Sequence, residues 1–319
     1  MSAITKMPDS KPKASISLRF KKAFARDWQL YLLCLPAIIY VAIFEYGPMY
    51  GIQLAFRNFR AQDGIWGSPW VGLDNFRRFF DSYWFEATIR NTLVLNVYGL
   101  AVGMPIAIFF ALMINQVMSG KYRKTVQTIL YAPHFISAVV FVGMIMLFFS
   151  PSTGIVNIII ESLGGESVFF MARADLFYHM FVWTGVWQGT GWATIIYVAA
   201  LSGVNPELYE SAKIDGAGKL SLIRNIDIPT ITPTIIIVLI LNIGTMMNMG
   251  FQRIFLMQNA HNLSTSEVIV TLVYRIGLVA ATPQFGLATA IGLFNTLINV
   301  VLLLTANWVA RRWSETSLF

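Results

Sequence analysis

The chain has 319 residues, of which 56% are hydrophobic and only 12% charged, with a mean hydropathy of +0.62. Soluble globular chains carry about a quarter charged residues, so the composition implies an integral membrane protein and excludes the ordinary soluble classes. The net charge of +7 would suggest nucleic acid in a soluble chain, but no nucleic-acid-binding module accompanies it, and the long unbroken apolar runs argue against a β-barrel.

Residues 1–15 are polar and carry Pro8 and Pro12. Ile16, Phe20, Phe24 and Trp28 then recur every four residues among Arg19, Lys21, Lys22 and Arg26. That spacing predicts a basic amphipathic helix, lying on the inner leaflet or packed on a cytosolic partner. Residues 1–29 are accordingly read as a cytoplasmic tail with an interfacial helix, 30–309 as the membrane domain, and 310–319 as a second cytoplasmic tail.

Six apolar runs are long enough to cross about 30 Å of hydrocarbon: residues 30–54, 88–117, 127–149, 178–201, 230–257 and 285–309. All carry Gly or Pro and several carry Asn or Gln, which suits a bundle around a polar path. The first run follows a basic stretch and lacks a small-residue cleavage site, so it is a retained span rather than a signal. Its Gly47-Pro48 breaks or kinks the helix. Glu45 there is a snorkelling or paired carboxylate rather than a proton carrier, and the lone Cys34 is a small apolar residue. The aromatic segment from Phe56 to Glu86 forms an interfacial belt or faces an external partner. Gly99 and Gly103 permit close helix contact in the second run, and Pro133 marks a kink in the third.

Lys and Arg are about twice as frequent before the first run, after the second and fourth, and at the end as in the alternate connections. The positive-inside rule then puts both termini and the strip Glu207–Pro229 in the cytoplasm. That strip is polar between two apolar runs. Asn205-Pro206 starts a short helix over Glu207–Ile214, with its acids near the positive end. Asp215-Gly216 makes a turn. A second helix over Ala217–Asp227 stops at Pro229, and Leu208, Ile214, Leu220, Ile223 and Ile226 hold the pair against the bundle.

Polar side chains inside the runs face a cavity or another helix. Trp187, Gln188, Asn242, Thr245, Asn248, Gln252 and Asn295 are the candidates for a polar path, and interhelical hydrogen bonding is the rival role for each Asn and Gln. Asn242, Thr245, Met246 and Met249 share one helix face by their three- and four-residue spacing. No ATP-binding loop is present, since "GAGKL" lacks the Walker spacing and its Ser/Thr. The histidines His134, His179 and His261 lack metal-ligand spacing, and no nucleophile elbow occurs.

At Glu210, Ala212, Asp215, Gly216, Ala217, Ile226, Pro229 and Pro233 the strip resembles the EAA motif of permease subunits of bacterial ABC importers, with Ser211 and Ile223 as mild departures. "LPAIIYVAIFEYGPMYGIQLAF", "VGLDNFRRFF" and the C-terminal run resemble the oligosaccharide and polysaccharide branch, which includes alginate-type permeases. The resemblance implies an all-α, six-span permease with a cytoplasmic coupling helix between spans four and five. Glu207, Glu210, Ala212, Asp215, Gly216, Ala217 and Pro229 would couple it to the ATPase. It also implies a second homologous permease, two ATPase subunits that use ATP and Mg, and an extracytoplasmic solute-binding protein. This chain itself would bind no cofactor and catalyse no reaction. An ion-driven secondary transporter, a scaffold subunit without its own path, and a non-sugar cargo are the alternatives.

Overall fold

The computed structural model describes residues 16–116, 120–248 and 250–313, with side chains from Arg26 to Arg312. The tail 1–15, the side chains of Ile16, Phe20 and Phe24, Met249, and residues 314–319 lie outside the described residues. Among those described the chain is helical throughout, with two isolated bridges, Arg57–Trp70 and Arg60–Gly64, in place of any strand. It divides into two units, Met1–Gln53 and Leu54–Phe319.

In the first unit α1 (Ile16–Val41) has non-helical backbone at Asp27, with φ −111° and ψ 18°. This kink separates the basic stretch from the apolar one. Pro48 lacks the N–H that would bond the carbonyl four residues back. A π-turn at Ala42–Tyr46 precedes it and absorbs the missing bond, so Gly47-Pro48 loosens the helix without ending it.

The second unit holds α2 (Asp74–Phe80), α3 (Trp84–Asn115), α4 (Gly120–Tyr131), α5 (Ala138–Phe148), α6 (Ile155–Ser162) and α7 (Phe177–Ser202). After these come α8 (Pro206–Ile214), α9 (Lys219–Gly244), α10 (Phe251–Met257), α11 (Ile269–Tyr274) and α12 (Phe285–Trp313). Four helical segments are long and apolar enough to cross a membrane: Arg26–Phe56, α3, α9 and Phe285–Arg312. A fifth is possible if the Gly120–Phe135 and Ala138–Phe148 pair, bent by 98° just past Pro133, counts as one span. The fourth expected run forms α7, whose 26 residues give about 39 Å, but it falls below a spanning helix in apolarity. Its glycines have a structural reason at Gly185 and Gly191, where a Cβ would meet Arg253 and Leu130, whereas Trp183, Trp187 and Trp192 are exposed. The helix makes the most extensive helix–helix contact in the chain, with α3, and also touches α4 and α9.

The closest approach is at Gly191, where a Cβ would overlap the carbonyl of Leu130. Of Gly99 and Gly103, expected to permit close helix contact, Gly103 faces Val186 of α7, 3.6 Å from where a Cβ would stand, whereas Gly99 has nothing within 4 Å; both border an open space. Three buried clusters hold the unit together. One joins Leu95, Phe141, Phe181, Ile254 and Val268; another Phe79, Leu272 and Ile291; the third Ala107, Tyr197, Leu201 and Ile231. The connection from α10 to α11 is stitched to α3 by Asn91, whose amide donates to the carbonyls of Ser264 and Glu267 at 3.0 and 2.9 Å.

Candidate functional site: a bracket and a cavity

The strip forms a two-part bracket. Asn205 caps α8, its Oδ1 accepting from the Glu207 N–H at 3.1 Å, and Pro206 occupies the first helical turn. This is the arrangement those two residues favour. The helix ends in a Schellman motif. Ala217 N–H bonds Ala212 C=O at 2.9 Å and Gly216 N–H bonds Lys213 C=O at 3.1 Å. Gly216 has φ +80° with no atom within 4 Å of where a Cβ would stand. The backbone conformation, not crowding, therefore demands glycine there. Ala212 and Ala217 close the turn as small residues, and a groove of about 480 Å³ opens beside it.

Two expectations for this region fail. The second helical half does not stop at Pro229. It runs from Lys219 to Gly244 as one helix, because a π-turn at Ile223–Asp227 spans the carbonyl that Pro229 leaves without a donor. Nor do Leu208, Ile214 and Leu220 hold the bracket to the bundle. They are exposed, Ile214 by 86% and Leu220 by 78%, beside the exposed Glu207, Glu210 and Asp215.

The anchor is polar and sequence reasoning missed it. Asp227, fully buried in the π-turn, accepts from Tyr209 Oη at 2.6 Å and Asn115 Nδ2 at 3.2 Å on one oxygen, and from Gln116 Nε2 at 2.8 Å on the other. One carboxylate thus ties α8, the end of α3 and the root of α9. Burial, and then donation to Asp227, push the Tyr209 phenol up to about 12. Leu222, on the same helical stretch as Asp227, is buried as well.

The second feature is a cavity of about 890 Å³ between α3, α7, α9 and α10. It lies where the fifth expected run breaks. Asn242 and Thr245 turn their donors back on Val238 and Leu241 of their own helix, at 2.8 and 3.2 Å, a local competition that weakens helical continuation. The helix stops at Gly244 and resumes at Phe251. Asn242, Thr245 and Met246 therefore do not share a face of one helix. Backbone opened at such a depth needs partners inside the protein or along a cavity. Asn299 of α12 supplies one, accepting from Met247 N–H at 2.9 Å.

Of the expected path residues, Asn242, Thr245 and Asn248 line the cavity. Asn295 sits behind it, donating to Asn248 Oδ1 at 3.0 Å. Trp187, Gln188 and Gln252 are not in its wall. Trp187 stacks on Phe141 with centroids 5.8 Å apart, Gln188 donates to the Ile136 carbonyl at 3.0 Å across the bend before α5, and Gln252 is exposed. The wall contains one charged side chain, Arg253, near the end of the fifth apolar run.

Residues 103–315 match the family of binding-protein-dependent transport system inner membrane components. Protein LplB of Bacillus subtilis (strain 168) is 38% identical over 306 residues, 96% of each chain. The polygalacturonan/rhamnogalacturonan transport system permease protein YteP of the same organism is 39% identical over 290 residues, 91% of this chain and 90% of that one. A chain in the crystal structure of a bacterial alginate ABC transporter, in complex with an alginate pentasaccharide-bound periplasmic protein, superposes with a TM-score of 0.86. It is 40% identical, with coverage of 94% of this chain and 100% of that one.

Proposed function

This chain belongs to the binding-protein-dependent transport system inner membrane components, and from that premise we propose that it is a six-span permease subunit importing oligo- or polysaccharide by alternating access. A relative that serves polygalacturonan and rhamnogalacturonan, and a neighbour that serves the acidic polysaccharide alginate, support a saccharide cargo. The same neighbour, bound to a periplasmic protein carrying its oligosaccharide, supports delivery of cargo by an extracytoplasmic binding protein. ATP and Mg are used in two partner ATPase subunits, a second permease completes the path, and both termini lie on the cytoplasmic side with the bracket.

The observation that carries this reading is the bracket. Exposed apolar side chains on an otherwise charged strip mark a docking surface, and Ile214 and Leu220 provide it on either side of the Gly216 turn. Behind the turn, Asp227 fastens α8 to α3 and α9. A displacement of the turn by the ATPase therefore reaches two helices of the cavity wall through hydrogen bonds rather than through a loose loop. The ATPase favours one cavity state by binding it more tightly, which is the only way a partner can drive such a change. Asn242, Thr245 and Asn248, with Asn295 behind them, offer the hydroxyl-binding groups of the path. Trp187, Gln188 and Gln252 act from outside this state's cavity wall.

The test is reconstitution of the whole complex in vesicles, with cysteines introduced at Ile214 and Leu220 in a Cys34→Ser background. Saccharide uptake should require ATP, and both cysteines should crosslink to the ATPase. Uptake that persists without nucleotide would make the protein a gradient-driven transporter, and crosslinks to no ATPase would remove the coupling role.

A further inference from the structure

We propose that Arg253 is the charge-reading residue of the cavity, and that the cargo it recognises is an anionic saccharide whose carboxylate meets this guanidinium. The proposal rests on the transport reading above and narrows its substrate class.

Arg253 lies on α10, immediately past the break in the fifth run. Its guanidinium packs on the ring of Phe181 with Cζ 3.8 Å from the centroid, and one Nη donates to the Phe181 carbonyl at 3.1 Å. Both contacts are to neutral groups. The ion pairs among the described residues are Arg26–Asp27, Arg173–Asp175 and Arg275–Glu267, so no described carboxylate lies within 4 Å of Arg253. No Asp or Glu lines the cavity. The remaining polar wall is amide and hydroxyl, from Asn96, Thr190, Tyr197, Asn242, Thr245 and Asn248, with the Trp192 indole beside them.

A cation at membrane depth is costly, and it is ordinarily paired or functional. Here the fold prepares its seat and supplies no counter-charge. Gly185 of α7 is part of that seat, since a Cβ there would overlap the guanidinium nitrogens. Stacked on an aromatic ring and held by one carbonyl, the planar fork keeps donors for a carboxylate, which it can grip through two parallel bonds. The field of one positive charge in a cavity of neutral walls is focused on whatever occupies it. A neutral sugar leaves that charge unanswered; a uronate answers it, and its hydroxyls reach the surrounding amides.

A merely structural arginine, clamping α10 to α7, would alter assembly and affinity for every cargo alike. Selectivity between acidic and neutral cargo separates the two roles. Binding of alginate and galacturonate oligosaccharides, each beside its carboxyl-reduced neutral form, is measured on the purified permease–ATPase complex without binding protein, so that the latter's own preference does not enter. Wild type should bind the acidic forms about tenfold tighter, the scale of one charge-assisted contact. Arg253→Gln should bring the acidic and neutral forms to within about twofold of each other, and Arg253→Lys should restore part of the difference. If Arg253→Gln does not assemble, Gly185→Ala, which keeps the arginine and displaces it, should erase the same preference. An equal preference in wild type and in the variant that assembles, or no preference in wild type, overturns the proposal. ATP-dependent uptake by the reconstituted wild type is followed in parallel. If it proceeds while the acid preference is absent, the charge-reading role alone falls; if no saccharide is taken up, the transport reading falls and takes this proposal with it.

Discussion

Asp227 and Arg253, two of the charged side chains inside this bundle, have opposite surroundings. Asp227 is fully buried, and both its oxygens are occupied, by Tyr209, Asn115 and Gln116. Arg253 is half-buried at the wall of a large cavity, with one carbonyl, one aromatic face and no acid. A charge whose hydrogen-bonding capacity is filled by the fold holds pieces together. A charge whose capacity is left open is available to something that arrives. The contrast separates a mechanical site from a binding site without reference to position along the chain.

The contrast is broken most severely by Asp227→Ala. That change takes from Tyr209, Asn115 and Gln116, all half-buried, the carboxylate they share, and leaves only the 3.3 Å bond from Asn115 to Tyr209 between them. Each lost bond to a charged group costs about 1–3 kcal/mol, and here three are lost at once. ATP-driven uptake should fall by about 100-fold with the helical bundle still assembled, and α8 should become sensitive to limited proteolysis. Normal uptake by this variant would show that the joint does not transmit movement.

Gly216→Pro should rank next. Proline fixes φ near −65°, whereas this position sits at +80° and its N–H bonds Lys213. The Schellman turn is lost while the anchor behind it survives, so uptake should fall by about 30-fold and basal ATPase should persist. Gly216→Ala meets no neighbour and bears only the left-handed backbone cost of about 1 kcal/mol. Its uptake should be reduced about fivefold. Equal loss in both variants would mean that crowding by a partner, rather than backbone conformation, fixes the glycine.

How far these sites were legible depends on the range of the interactions that make them. The bracket's turn was readable because Asn205-Pro206 and Asp215-Gly216 act through bonds to backbone a few residues away. The fate of Pro229 was not, because a π-turn upstream reroutes the missing bond and leaves no mark in composition. Asp227 looked like one more charge in a polar strip, and its partners at 115 and 116 are more than a hundred residues away. Asn242, Thr245 and Asn248 were visible as polar groups in an apolar run, but their effect in ending the helix was not. Arg253 carried a usable signal: a lone cation within "NMGFQRIFLM", with no acidic residue in the same run. Counting it only toward membrane topology hid that signal. Six spans were expected, but composition marks out only four or five, because α7, long enough to span, carries Thr, Gln, Trp and Gly through its middle, some of them at the cavity and some on its other faces.

On the binding side, Asn248→Ala sharpens the comparison at smaller scale. Asn295 donates to Asn248 Oδ1 at 3.0 Å, and Asn295 Oδ1 is itself buried without a partner. Removing the Asn248 amide takes away one neutral sugar contact and one interhelical bond. Half-saturation for transport should rise about fivefold for acidic and neutral oligosaccharides alike. A change confined to acidic cargo would move the charge-reading role away from Arg253.

The smallest effect belongs to Tyr209, and pH gives it a signature. Tyr209→Phe deletes the phenol that donates to Asp227, while Asn115 still serves the same oxygen. The loss is the bond donated to Asp227 and the longer one accepted from Asn115 at 3.3 Å, together about 1 kcal/mol, and uptake near neutral pH should fall only about threefold. Because the folded phenol titrates at about 12, above the ordinary tyrosine value of about 10, the folded state holds its proton more tightly than the unfolded state. The contribution is therefore whole below about pH 10 and is lost as pH rises through about 12. Thermal unfolding of the solubilised complex should show a wild-type advantage over Tyr209→Phe that is flat from pH 6 to 9 and shrinks above 10. A difference that shrinks instead toward acidic pH would assign the titration to the carboxylate, and the joint would then be a proton-sensitive latch rather than a permanent one.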